Sequence, residues 1–202
     1  MATVLYIHGK GGNAQESQRY EPLFPAFSVL GLDYTSTTPW AAKEEFRAAL
    51  EKLYRKEGKI TLVANSIGAY FSMQAGIEDY FEKAYFISPM VDLEGLILGM
   101  MQALHVTENE LKEKGVIETP WGEPLSWEYL SYVRSHPIVW RVPTHILYGE
   151  NDALTPKETI KAFAKAHGAT LTVMGGGEHW FHTEEQMRFL DDWIKEKEGA
   201  TQ

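Results

Sequence analysis

The chain of 202 residues contains no cysteine, which excludes disulfides, thiolate metal sites and a cysteine nucleophile together. It has no apolar run near the ~20 residues that span a bilayer as a helix. Basic residues are scarce: 19 Lys and Arg stand against 28 Asp and Glu, for a formal net charge of -9. Nucleic acids and anionic membranes are held by basic patches that displace counterions, so neither is an expected partner. Met1-Ala2-Thr3-Val4 opens into a strand-like run without the charged start of a signal peptide, and a soluble, cytoplasmic protein is expected.

What is present is apolar content of 44% and 12% aromatics, enough for one sizeable core, and no linker divides the chain, so residues 1–202 are expected to form a single domain. Short β-branched or aromatic runs alternate with amphipathic stretches, the pattern of a parallel sheet covered by helices. The strand candidates are Thr3–Ile7, Ala26–Leu30, Ile60–Ala64, Ala84–Ser88, Thr144–Tyr148 and Thr170–Met174. Phe46, Ala49, Leu50 and Leu53 recur at helical spacing before Gly58 and predict a crossover helix. Thr155-Pro156-Lys157-Glu158 predicts a helix capped by Thr155 with Pro156 in its first position, running to Gly168. Thr183-x-x-Gln186 starts the last helix, with Met187, Leu190 and Ile194 as its inward stripe.

The alternation breaks between about 92 and 141, where capped helices are signalled at Thr107-x-x-Glu110 and Ser126 but no strand. This insertion carries Leu96, Ile97, Leu98, Met100, Met101, Trp121, Trp127 and Trp140. It reads either as a lid lining a pocket or as a helical pair packing its own small core. Under the lid reading, Met90, Met100 and Trp121 are the candidate substrate-binding residues.

Val63-Ala64-Asn65-Ser66-Ile67-Gly68-Ala69-Tyr70 sets a serine on a sharp turn between an apolar strand run and a helix-forming segment. Exposing a nucleophile there requires small neighbours so that strand and helix can approach, and Ala64 and Gly68 are small. The usual pattern has glycine where Ala64 stands, and a capped helix start is the alternative reading of Ser66. Serine needs a base, and the base an orienting acid. Asp152 follows the fifth strand candidate in Gly149-Glu150-Asn151-Asp152, and His179 follows the sixth in Gly177-Glu178-His179. In a parallel sheet both turns meet at the carboxyl edge. The rivals are Asp92 and Glu150 for the acid and His182 for the base.

A tetrahedral oxyanion needs two fixed donors, and the Ile67 N–H after the nucleophile is one. The loop His8-Gly9-Lys10-Gly11-Gly12 after the first strand offers the Lys10 N–H as the other. Phosphate binding competes for a glycine-rich loop, but neither a Gly-Lys-Ser/Thr end nor G-x-G-x-x-G is present here. His179-x-x-His182 is the one close histidine pair, with no His-Glu-x-x-His string, so neither a metal nor another cofactor is expected.

With His8-Gly9, the Ala64–Gly68 elbow, Gly149-x-x-Asp152 and Gly177-x-His179 in this order, the chain resembles a small α/β-hydrolase over nearly its whole length. That resemblance implies a mostly parallel sheet of about six strands flanked by helices, against the family's common eight. The chain starts at what resembles the family's third strand. It implies Ser66 as nucleophile, Asp152 as acid, His179 as base, and Lys10 and Ile67 as oxyanion donors. The expected activity is carboxylesterase-like cleavage of a small ester through an acyl-enzyme. Thioesterase, acyltransferase or peptidase chemistry on the same triad, and a non-catalytic protein binding an apolar ligand or partner, remain alternatives, and a homodimer is left open.

Overall fold

The computed structural model describes residues 2–199; Met1 and residues 200–202 lie outside the described residues. The chain divides into two compact units, one built from the chain up to Val91 and from Val139 onward, the other from Asp92–Ile138.

The larger unit is a six-stranded parallel sheet in the order β2-β1-β3-β4-β7-β8, with strands β1 Ala2–Ile7, β2 Phe27–Gly31, β3 Ile60–Asn65, β4 Phe81–Ile87, β7 Thr144–Gly149 and β8 Thr170–Met174. Parallel strands need crossovers, and covering helices let both faces be buried, which is why these strands read as nearly continuous apolar runs. Side chains alternate between the faces. One face contributes Val4, Tyr6, Val63, Tyr85, Ile87, Leu147 and Met174 to a buried cluster with Tyr20 and Leu23 of the 3-10 helix Ala14–Leu23, with Phe24 just after it, and with Leu190, Trp193 and Ile194 of helix α7, Glu184–Gly199. The alternate positions Leu5, Ile7, Leu62, Phe86 and Ile146 are equally buried.

Helix α1, Pro39–Glu57, is capped by Thr38 and ends at Gly58 with φ 78°, burying Phe46 and Leu50. Helix α2, Ser66–Gln74, leaves β3 directly. Helix α6, Lys157–His167, starts later than its sequence signal: Thr155 is not its cap. The Thr155 N–H is drawn to the Asp152 carboxylate at 3.1 Å, its side chain is buried, and Pro156 becomes the cap residue without a side-chain bond. In α7 the buried stripe is Gln186, Leu190, Trp193 and Ile194, whereas Met187 is only half-buried. The Thr183 hydroxyl caps it, accepting from the Gln186 N–H at 3.2 Å.

The smaller unit holds helices α3 Leu93–Ala103, α4 Glu108–Lys114 and α5 Trp127–Ser135. It also has a two-residue antiparallel ladder, β5 Val116–Ile117 with β6 Leu125–Ser126, that no sequence signal announced. Asp92, Thr107 and Ser126 cap the three helices through their side-chain oxygens. The Arg134 guanidinium joins them, donating to Glu94 on α3 at 2.7 Å and to both Glu108 oxygens on α4 at 2.7 and 2.8 Å. Among the described residues no helix is long and apolar enough to cross a membrane.

Candidate active site

The β3–α2 junction turns so sharply that Ser66 adopts φ 50°, in a region that costs an L-residue roughly 1–3 kcal/mol. The turn is tolerated because its neighbours have no bulk. A Cβ on Gly68 would fall 2.3 Å from the His8 carbonyl oxygen, so α2 can pass β1 this closely only with glycine there. Ala64, in place of the usual glycine, is wholly buried on β3 beside Ile7 of β1. Ser66 Oγ does not cap the helix; it lies 2.8 Å from His179 Nε2.

His179 Nδ1 lies 2.7 Å from Asp152 Oδ2, and the Asp152 side chain is fully buried. Its other oxygen accepts the N–H groups of Leu154 and Thr155 at 2.8 and 3.1 Å. These two bonds fix the carboxylate's plane, and the carboxylate in turn fixes the imidazole. Gly149 makes the approach of the two loops feasible, since a Cβ there would fall 2.5 Å from the Glu178 carbonyl oxygen. With Nδ1–H donated to Asp152, Nε2 carries the lone pair that faces the Ser66 hydroxyl.

The rivals are occupied elsewhere. The Asp92 carboxylate accepts from the Gly95 N–H at 2.8 Å as the cap of α3. Glu150 pairs with Lys157 at 3.0 Å, and that ammonium holds its carboxyl below the usual range. His182 Nδ1 lies 2.6 Å from the Trp180 carbonyl oxygen, and its ring stacks on Trp180.

A cavity of about 710 Å³ opens at Ser66, within the larger unit. Gly9, Lys10, Gly11 and Gly12 line it, and Gly9 packs so near Ser66 that a Cβ would lie 3.3 Å from the serine's own. The Gly12 N–H bonds back to the Gly9 carbonyl at 3.2 Å, closing the loop. Ile67, second residue of α2, has a backbone N–H that the helix itself cannot satisfy. Met90 is buried, gives its N–H to the Ser66 carbonyl at 3.2 Å and does not line this cavity; Met100 on α3 and the exposed Trp121 belong to the smaller unit.

The lining contains a polar group that was not among the expected site residues. The Tyr6 hydroxyl donates to Glu16 at 2.6 Å and accepts from Asn65 Nδ2 at 3.0 Å. Burial, Tyr20 and the Glu16 carboxylate all push the Tyr6 phenol far above its ordinary range, so it stays a neutral hydroxyl. Burial pushes Tyr20 up to about 12 against the opposing pull of Arg19 and Asn65. Glu16 also braces the glycine loop: it accepts the Asn13 N–H at 3.3 Å, and Gly12 lies against its carboxylate. The signal for this group was Asn13-x-x-Glu16, a capping box before Tyr20 and Leu23.

Among the described residues no cluster of three or more His, Asp or Glu could hold a metal ion. No family model and no curated protein matches the chain. Solved structures do resemble it. Est1E from Butyrivibrio proteoclasticus superposes with a TM-score of 0.79 at 17% identity, over 98% of this chain and 87% of its own. Alpha/beta hydrolase domain-containing protein 10 from mouse gives 0.70 at 16% identity, over 99% and 90%. A thioesterase domain from the curacin biosynthetic pathway gives 0.57 at 16%, over 96% and 90%. The chain has the α/β-hydrolase fold.

Proposed function

We propose that the protein is a serine hydrolase that cleaves a small carboxylic ester through an acyl-enzyme on Ser66. The observation that carries this reading is the unbroken chain from Ser66 Oγ through His179 to a fully buried Asp152, at 2.8 and 2.7 Å. In this mechanism His179 Nε2 takes the hydroxyl proton as Oγ attacks the ester carbon. The carbonyl oxygen becomes an oxyanion held by the Lys10 and Ile67 N–H groups, and collapse breaks the bond to the alcohol oxygen, which leaves with the proton from His179. Water, deprotonated by the same nitrogen, then attacks the acyl carbon and restores Ser66. Asp152 accepts the Nδ1–H throughout and stabilises the imidazolium that forms in each half-reaction.

The names of two similar structures, a hydrolase domain-containing protein and a thioesterase domain, are compatible with ester or thioester cleavage and support hydrolysis over the non-catalytic alternative. The test is intact-protein mass after incubation with an active-site fluorophosphonate. One stoichiometric adduct is expected, absent from Ser66→Ala, together with loss of ester turnover by about 10⁴-fold or more and an unchanged unfolding midpoint. A wild-type protein that takes no label, or a Ser66→Ala variant that takes as much, would overturn the reading.

A further inference from the structure

Trp180 is 76% exposed, far beyond the usual state of a tryptophan, and it is the residue next to His179. It lines the Ser66 cavity with Leu154, itself 43% exposed and two residues after Asp152. The indole is braced: it stacks on the His182 ring at 5.0 Å between centroids and 28° between planes. The His182 Nδ1 is in turn held 2.6 Å from the Trp180 carbonyl oxygen, and its backbone N–H donates to Gln186 at 3.1 Å. One ring face is thus occupied, and the exposure of the residue leaves a flat apolar surface open at the mouth of the cavity.

The sheet order says which part of a substrate would meet that surface. Ser66 stands at the end of β3. The polar lining of Tyr6, Lys10, Glu16 and Asn65 comes from β1, its following segment and β3, whereas Ile87 ends β4 and Leu154, Trp180 and Phe181 follow β7 and β8. Apart from the imidazoles of His179 and His182, the side chains lining the β8 side are apolar, whereas the β1 side carries most of the other polar groups. The leaving oxygen must come within reach of His179 Nε2 to take its proton, which places the alcohol portion on the β8 side.

We infer that Trp180, with Leu154, forms the leaving-group subsite, and that the preferred substrates are esters of an alcohol carrying an aromatic ring that stacks on the open indole face. This rests on the serine-hydrolase reading above. A ring pre-set by His182 loses little freedom on binding, and stacked aromatic pairs are favoured beyond their area by an amount corresponding to about 2- to 12-fold.

The test compares benzyl acetate with cyclohexylmethyl acetate, whose alcohols are alike in size, with each rate divided by the same ester's hydroxide-catalysed rate to remove the difference in leaving-group acidity. Wild type is expected to favour the benzyl ester in kcat/KM within that range. The ratio should fall to near one in Trp180→Ala and be largely kept in Trp180→Phe. Because both esters give the same acetyl-enzyme, the difference should vanish from kcat where deacylation limits. Moving the ring to the acid side, in methyl phenylacetate against methyl cyclohexylacetate, should give a ratio that Trp180→Ala does not change. A benzyl preference that survives Trp180→Ala, or one that this variant removes only on the acid side, overturns the subsite. Fluorophosphonate labelling separates the two readings: labelled Ser66 with equal rates for both acetates sinks the subsite alone, whereas an unlabelled protein sinks both.

Discussion

At Asp152 a single carboxylate has two duties that can be separated experimentally. One oxygen orients His179, while the other organises the turn into α6 by accepting two backbone N–H groups. Asparagine can keep its carbonyl oxygen on the turn, but its amide then presents N–H to the imidazole, which forces the tautomer whose Nε2 cannot accept from Ser66. Asp152→Asn is therefore expected to lower kcat by about 10⁴-fold with KM little changed. Because the turn keeps its acceptor, circular dichroism and the unfolding midpoint should stay near wild type. Asp92→Asn, which alters a helix cap on the smaller unit, should leave kcat where it is; the reverse pattern in the two variants would mean that the acid is misassigned.

At the scale of elements, the site is assembled by strand ends and then tied together across them. The Asn65–Tyr6–Glu16 chain links the β3–α2 elbow to the glycine loop after β1, the two segments whose amides would share the oxyanion. Removing the central hydroxyl in Tyr6→Phe leaves both ends in place but unlinked. A buried hydrogen-bond partner lost in this way corresponds to a decrease on the order of 5- to 100-fold, expected in kcat rather than KM. Binding of a trifluoromethyl ketone, which mimics the oxyanion adduct, should weaken by the same factor. A variant that loses thermal stability while keeping its affinity for the ketone would reduce the chain to a packing device.

The strands, α1 and the Ser66, Asp152 and His179 positions were legible because each has a local cause: apolar runs for buried parallel strands, caps and glycines for helix ends, small residues where backbones cross. The Tyr6 network was not legible because its members, Tyr6, Glu16 and Asn65, are far apart in sequence and each has an ordinary local role. The cavity wall was not legible for a related reason. Within the larger unit the residues lining the cavity near Ser66 come from loops and helices that the sheet itself positions, and the buried Met90 is not among them. Thr155 shows the same competition on a small scale, with a capping signal overridden by a buried carboxylate that claims its N–H.

For the molecule as a whole, the two units differ in what holds them. The sheet unit has six strands covered on both faces, with much of its core at 0–3% exposure. The smaller unit has three helices of 7 to 11 residues, a two-residue ladder and a short set of buried side chains such as Leu93, Met101, Leu111, Leu125 and Leu130. Its helices rely on the Arg134 bridges, in which all three side chains are partly exposed and so open to screening by salt. Amide exchange should therefore be faster in α3, α4 and α5 than in β3, β4 and β7, because local opening there exposes less apolar surface. Raising sodium chloride to about 1 M, where the screening length falls to about 3 Å, should widen the gap, and Arg134→Met should reproduce that widening at low salt. Exchange as slow in residues 93–135 as in the central strands would show that the smaller unit opens only when the sheet does, and the division into units would then carry no separate dynamics.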